Sequence, residues 1–515
     1  MSERVHKTVL NAKVNLLFYF LTLVISFFSR KIFLDFLGAE FIGLVGTLGN
    51  ILGYLNLAEF GILNCISFLL FKPLQTNNRQ EINEILSVLG YLYAWIGGII
   101  LTGGILVSVF FPIIFTDTEF SFGIIYFSFY SLLFSSLIGY FINYRQIILT
   151  ADQKNYLVAV YLQSVSILKI ILQIALAYYY RNLYLWVGIE FLFSIVGCII
   201  LNWKIDKEYP WLKTKISEGK KLLAKYPAII TNTKQIFIHK MKEFLLTKSD
   251  ELFVFVFVSL KMVAYYGNYL LIVTKLTTLF TSVAGGVDAS IGNLVAENNK
   301  SNTMKIFWEY MTIQHTVTAI LCFSIYSFME PFISIWLGPE YVMDHFILIL
   351  LVIYVYITNS RSPIDNFNHA YGHYADVWAA WFELIVNISI TIIAGLKWGI
   401  IGMLLGKISS IIFIVVFWKP YYLFSSGFKV PIADYWKSAA KNYLISLCSI
   451  LLVVYLLQFI NIDPYYNFIS WGKYVFVGIS LFLLINLPIT YFFANGAKDC
   501  IERILVHVKS NVNKS

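Results

Sequence analysis

Charge is scarce in this chain. Only 13% of its 515 residues are Asp, Glu, Lys or Arg, whereas 59% are hydrophobic and 18% aromatic. With a mean hydropathy of +0.73, that balance excludes a water-soluble globule. Paired cysteines are missing as well. Cys65, Cys198, Cys322, Cys448 and Cys500 share no spacing, and four of them lie in apolar runs, where they read as small hydrophobes. Neither a disulfide framework nor a metal site follows. No G-x-x-x-x-G-K-[ST] segment occurs, so ATP is not expected as the direct energy source. The seven histidines are scattered without an H-E-x-x-H. No cofactor is expected. A cleavable leader is not expected either: Met1–Lys13 is polar and basic, and the run behind it is too long and too aromatic. Every outward loop is short, which leaves no room for an external catalytic domain and argues against an enzyme.

What is present is a succession of apolar runs near the length of roughly 20 residues that crosses a bilayer. They are continuous, as in LVISFF at 23–28, FVFVFV at 253–258 and LILLVIYVY at 348–356. Continuous runs favour helices over alternating barrel strands. The reading is an all-α integral membrane protein with fourteen spans, near 14–36, 41–71, 84–115, 121–147, 156–180, 183–203, 230–258, 262–295, 304–330, 345–370, 374–396, 398–418, 440–460 and 470–494. The basic residues then sort by side. Twenty-four of the 38 Lys and Arg fall on one side, and Arg181, Lys261 and Lys397 on the other. The net charge of +9 thus reads as positive-inside bias and not as nucleic-acid binding, and both termini are expected in the cytoplasm.

The expected organisation is a six-helix bundle over 1–203, a basic linker over 204–229 and a second six-helix bundle over 230–418. A cytoplasmic loop over 419–439, two extra helices over 440–494 and a basic tail over 495–515 complete it. Both halves open on a polar helix and continue with a very long second one, ending near Gln75–Arg79 and Glu297–Asn302. That pseudo-symmetry suggests a duplicated transporter with its substrate path between the halves. The seventh span is too polar to face lipid, and an amphipathic surface helix is its alternative reading. Keeping it as a span preserves the charge split.

Polar groups inside the spans are the candidate site. Asn15, Tyr19, Thr22, Ser26 and Ser29 form a stripe on one face of span one, with Arg30 and Lys31 beside it. Lys240 and Lys248 lie in span seven, together with Lys234 and Lys242. Lys169, Lys275 and Lys407 sit near mid-span, and Arg361 in the inner half of span ten. A charge at mid-membrane costs at least about 2.5–3.5 kcal/mol, so several imply a shared, hydrated interior. The competing reading is local pairing, Arg361 with Asp365 or Lys248 with Asp250 and Glu251. Lys169, Lys275 and Lys407 have no acid within a turn.

Four stretches taken together resemble one family, the flippases for lipid-linked polysaccharide repeat units within the multidrug/oligosaccharidyl-lipid/polysaccharide exporter superfamily. The first is Leu37-Gly-Ala-Glu-Phe-Ile-Gly-Leu44 with Leu55-Asn-Leu-Ala-Glu-Phe-Gly-Ile62 and Lys72-Pro-Leu74. The second is Leu149-Thr-Ala-Asp-Gln-Lys-Asn-Tyr156. The third joins His239-Lys240, Ser249-Asp250, Tyr266-Gly-Asn-Tyr269 and Ile291-Gly-Asn-Leu294. The fourth joins Arg361-Ser-Pro363, Gly372, Glu383, Asn387 and Gly399-Ile-Ile-Gly402. The resemblance implies a bacterial inner-membrane protein of O-antigen or capsule biosynthesis. Its substrate would be an oligosaccharide on a polyprenyl diphosphate, and its partners membrane lipid and a polysaccharide polymerase or assembly protein. The diphosphate would meet Arg30, Lys31, Lys169, Lys240, Lys248, Lys275, Lys407 and Arg361. Glu59 or Asp288 would couple an ion. A cation-coupled drug or metabolite antiporter of the same superfamily is the rival reading, and a membrane polysaccharide polymerase a more distant one.

Overall fold

In the computed structural model, the described residues are 3–59, 62–116, 118–227, 229–230, 233, 241, 249–284, 287–297, 299–373 and 377–503, and none of them forms a strand. Eleven helices among them are long and apolar enough to cross a membrane. The protein is an all-α integral membrane protein. The chain divides into two compact units, Met1–Ala264 and Tyr265–Ser515.

In the first unit, α1 (Glu3–Leu37) gives way to α2 (Ala39–Leu55) at Gly38, whose φ of 88° suits a residue without Cβ. The expected second span is two shorter helices, α2 and α3 (Ile62–Gln75), with a tight turn at Asn56–Glu59 between them. Then come α4 (Arg79–Val109), α5 (Phe122–Phe141), α6 (Asn155–Tyr180) and α7 (Leu183–Glu208). Asparagine side chains start two of these helices. Asn78 accepts from the Glu81 amide at 3.2 Å and Asn182 from the Leu185 amide at 3.1 Å, each satisfying an orphan first-turn donor. α2 lies so close to the start of α8 (Leu260–Ala284) that a Cβ on Gly43 would overlap the Leu260 carbonyl.

The segment after α7 is folded against α4. The Lys213 amide donates to Asn83 at 2.7 Å, the Lys215 amide to Ser87 at 2.8 Å, and Tyr226 to Glu84 at 2.9 Å. Loop lysines are thereby fixed along one end of the unit. At that end Asp152 is a hub. Lys154 reaches it at 2.8 Å, Tyr209 donates to it at 2.7 Å, and Lys7 from α1 reaches it at 3.2 Å.

In the second unit, α8 is followed by α9 (Val287–Ala296), α10 (Lys300–Trp336), α11 (His345–Ser360) and α12 (Ser362–Ala370). Next are α13 (Val377–Trp398) and α14 (Ile400–Ile411), then α15 (Ala433–Leu457) and α16 (Phe468–Phe493). Asn299, Asp344 and Asn467 cap α10, α11 and α16. The helical run after α14 reaches Phe428, ten residues beyond the expected end, through wide π-type turns at Ile412–Trp418 and Leu423–Phe428. Phe307, Phe367, Phe424 and Phe428 interlock in the core they form.

α13 and α14 make a hairpin through Gly399 (φ 55°). Gly402 abuts the Ala394 and Gly395 backbone, and Gly406 abuts Thr391. Small residues four apart let the two backbones touch.

Two predictions follow from this packing. A side chain at Gly402 has no space, so Gly402→Val should destabilise the detergent-solubilised protein by about 1–3 kcal/mol, read as a lower thermal unfolding midpoint. An unchanged midpoint would contradict the close contact. The second concerns Asp152. Burial opposes its ionisation, but the bonds from Lys154, Tyr209 and Lys7 outweigh it and hold the carboxyl below its ordinary value of 3.8. A depressed folded-state pKa gives stability that is present above the unfolded value and is lost as pH falls through the folded one. The midpoint should therefore fall as pH is lowered past about 4. Asp152→Asn should be less stable at neutral pH and respond less to acid, and parallel pH curves for the two proteins would refute this.

Candidate functional site

The stripe on α1 is largely self-satisfied. Thr22 donates to the Phe18 carbonyl at 2.8 Å, Ser26 to Leu23 at 2.8 Å and Ser29 to Ser26 at 3.3 Å. Hydroxyls that bond back to their own helix can still face a helix or a wet path without leaving an orphaned group. Ser29 is buried, Tyr19 is half-buried and Asn15 is exposed.

The bases of the first unit have different partners. Arg30 donates to the Ala264 carbonyl at 3.0 Å. Lys31 lies 3.8 Å from Asp35, one turn on, with both side chains largely exposed. Lys169 bonds Glu190 of α7 at 2.6 Å. Gln173, buried beside them, donates to the other Glu190 oxygen at 3.2 Å and to the Trp186 carbonyl at 3.1 Å. Sequence spacing offered Lys169 no acid within a turn. Its acid comes from the neighbouring helix, so the charge is matched within the span.

Glu59 sits on the turn between α2 and α3, and two phenols converge on it. Tyr93 of α4 and Tyr140 of α5 each donate to a different carboxylate oxygen at 2.6 Å. Their rings meet edge to face at 5.2 Å. At that length each is a close O–H···O bond. Beside this clamp, Ser136 of α5 donates to Asn56 of the turn at 3.2 Å. On α2, Asn50 donates to Glu251 at 2.5 Å, and Asp250 next to it is buried. No local spacing announces the tyrosines, which lie 34 and 81 residues from Glu59. Glu251, 201 residues from Asn50, is equally remote.

In the second unit Lys407 is 5% exposed on α14, with its ammonium 4.5 Å from the centre of the Tyr354 ring. Glu383 and Asn387 of α13 are buried too, and Asn387 donates to Ser410 at 3.5 Å. Lys275 is half-buried on α8. Arg361 takes Asp365 at 2.9 Å, the local pairing that four-residue spacing allows. Lys234, Lys240, Lys242 and Lys248 lie outside the described residues, as does the side chain of Asp288. Among the described residues no three His, Cys, Asp or Glu side chains group as a metal site.

Two solved structures share this fold. One is described as the lipid II flippase MurJ in an inward closed conformation, with a TM-score of 0.63, 18% identity, and 94% of this chain and 98% of that chain covered. The other is an inward-facing multidrug resistance MATE family transporter of the MOP superfamily, with a TM-score of 0.55, 14% identity, and coverage of 76% and 92%. At these identities the likeness establishes a common fold. No family model matches the chain, and no curated protein matches it at a significant level.

The Lys169–Glu190 geometry makes a stability prediction. Glu190→Gln leaves an ammonium in the span without its carboxylate and should cost about 1.5–3 kcal/mol. The double substitution Lys169→Met, Glu190→Leu should recover most of the loss. Thermal unfolding in detergent reads both, and a double variant no better than the single would refute a matched pair.

Proposed function

We propose that this protein is a flippase that moves polyprenyl-diphosphate-linked oligosaccharide repeat units from the cytoplasmic to the outer leaflet of the bacterial inner membrane, for surface polysaccharide assembly. The observation that carries the reading is the retention of bases such as buried Lys407 within apolar helices of a fold shared with a solved lipid II flippase. A sugar and a diphosphate cannot cross hydrocarbon unaided, whereas a polyprenyl tail can stay in it. Lys and Arg along the path would replace the hydration of the diphosphate with charge-assisted hydrogen bonds. Arg30, Lys31, Lys169, Lys240, Lys248, Lys275 and Lys407 are assigned that role, with Arg361 as a further candidate. A negative-inside potential favours outward movement of an anion by about 2.3 kcal/mol per charge per 100 mV. A polysaccharide polymerase or assembly protein would receive the product.

A second reading rests on Glu59. A carboxylate clamped by two tyrosines at a helix break is suited to binding a cation or proton, as a cation-coupled drug or metabolite antiporter would require. It also serves the flippase as an ion-coupling group, with Asp288 as a further candidate.

In a strain that depends on this protein, Lys407→Ala and Arg30→Ala should each lower surface polysaccharide by about ten-fold at unchanged protein level. Transport of the lipid-linked repeat unit into reconstituted vesicles should rise when the vesicle interior is made positive, so that the side the anion leaves is the negative one. If a deletion strain keeps its surface polysaccharide and instead gains dye sensitivity, the antiporter reading replaces the flippase.

A further inference from the structure

The first unit holds a groove of about 790 Å³ between α4, α5 and α7. Its walls are apolar, with Phe134, Phe141, Ile195 and Ile199 among them. Polarity is confined to one end, where Asn202, Trp203 and Asp206 complete the lining. Arg145 closes that end. It donates to Asp206 at 2.7 Å and to Asn202 at 2.7 Å. Asn202 in turn donates to Asn143 at 2.6 Å. Beside them Lys207 stands 5.4 Å from the centre of the exposed Trp203 ring. Residues 204–225, which begin at that end, carry seven lysines against three acids.

A fatty chain gains little by leaving a bilayer for an apolar groove, because the surrounding tails are equally apolar. Selection must come from the head. A guanidinium has five N–H donors, and two of Arg145's are used by Asp206 and Asn202, so N–H groups are left for phosphate oxygens. Lys207 adds a second cation beside the Trp203 ring, and Trp is a residue of the headgroup level. The excess of lysine nearby selects a negative head over a zwitterionic one.

We propose that this groove is a binding site for an anionic glycerophospholipid, with one acyl chain along α5 and α7 and the phosphate on Arg145 and Lys207. The site is separate from the bases assigned to transport and does not depend on that assignment.

Native mass spectrometry of the full-length protein in detergent tests it, with phosphatidylglycerol, phosphatidylethanolamine and a polyprenyl phosphate added in turn. Phosphatidylglycerol should be retained best. Ile195→Trp, which fills the groove without touching Arg145, should reduce its bound fraction about five-fold or more. Arg145→Gln should bring phosphatidylglycerol down to the level of phosphatidylethanolamine, the loss of one base being worth about five-fold. Equal retention of the two phospholipids by the unaltered protein would overturn the proposal, and so would undiminished binding by Ile195→Trp. Preference for the polyprenyl phosphate would assign the groove to a different lipid and overturn it as well.

Discussion

A charged side chain surrounded by hydrocarbon must be answered, and in this protein the answer organises the helices. The charge of Lys169 is met by Glu190 and steadied by Gln173, which ties α6 to α7 at mid-span. Glu59 draws α4 and α5 onto the turn that interrupts the second span. Arg361 and Asp365 close on each other within one stretch of helix. Apolar packing alone gives little preference among helices in lipid, because tails and side chains are alike. The matched polar groups supply the preference that fixes which helices are neighbours.

Polar matching also explains the dense end of the first unit. Asp152 holds α1, the start of α6 and the residue after α7 together, while Asn83, Ser87 and Glu84 on α4 fasten the basic segment that follows. A segment rich in lysine repels itself when free. Here backbone amides are used as donors, and acids of the helices offset part of the charge.

The helical class and most span positions were legible in the sequence, because each run satisfies its own backbone and shows its length directly. The Arg361–Asp365 pair was legible as well, since a spacing of four fixes the geometry. Lys169 was not, because its acid lies 21 residues away on another helix. The tyrosines on Glu59 escaped for the same reason, among 35 tyrosines in the chain. The break at Asn56–Glu59 left no proline behind it, and the extension to Phe428 could not be read because wide helical turns carry no compositional mark. The hydroxyls of the stripe on α1 bond to carbonyls of their own helix, a choice that residue type does not reveal.

The α13–α14 hairpin has one further consequence. Where Gly402 meets the Ala394 and Gly395 backbone, no side chain lies between that could change rotamer and absorb a displacement. The seam behaves as a stiff beam. Any push delivered at one end of α13 arrives at the π-type turns beyond α14 nearly undamped, and it is there, where the hydrogen-bond ladder is already widened, that the pair can bend.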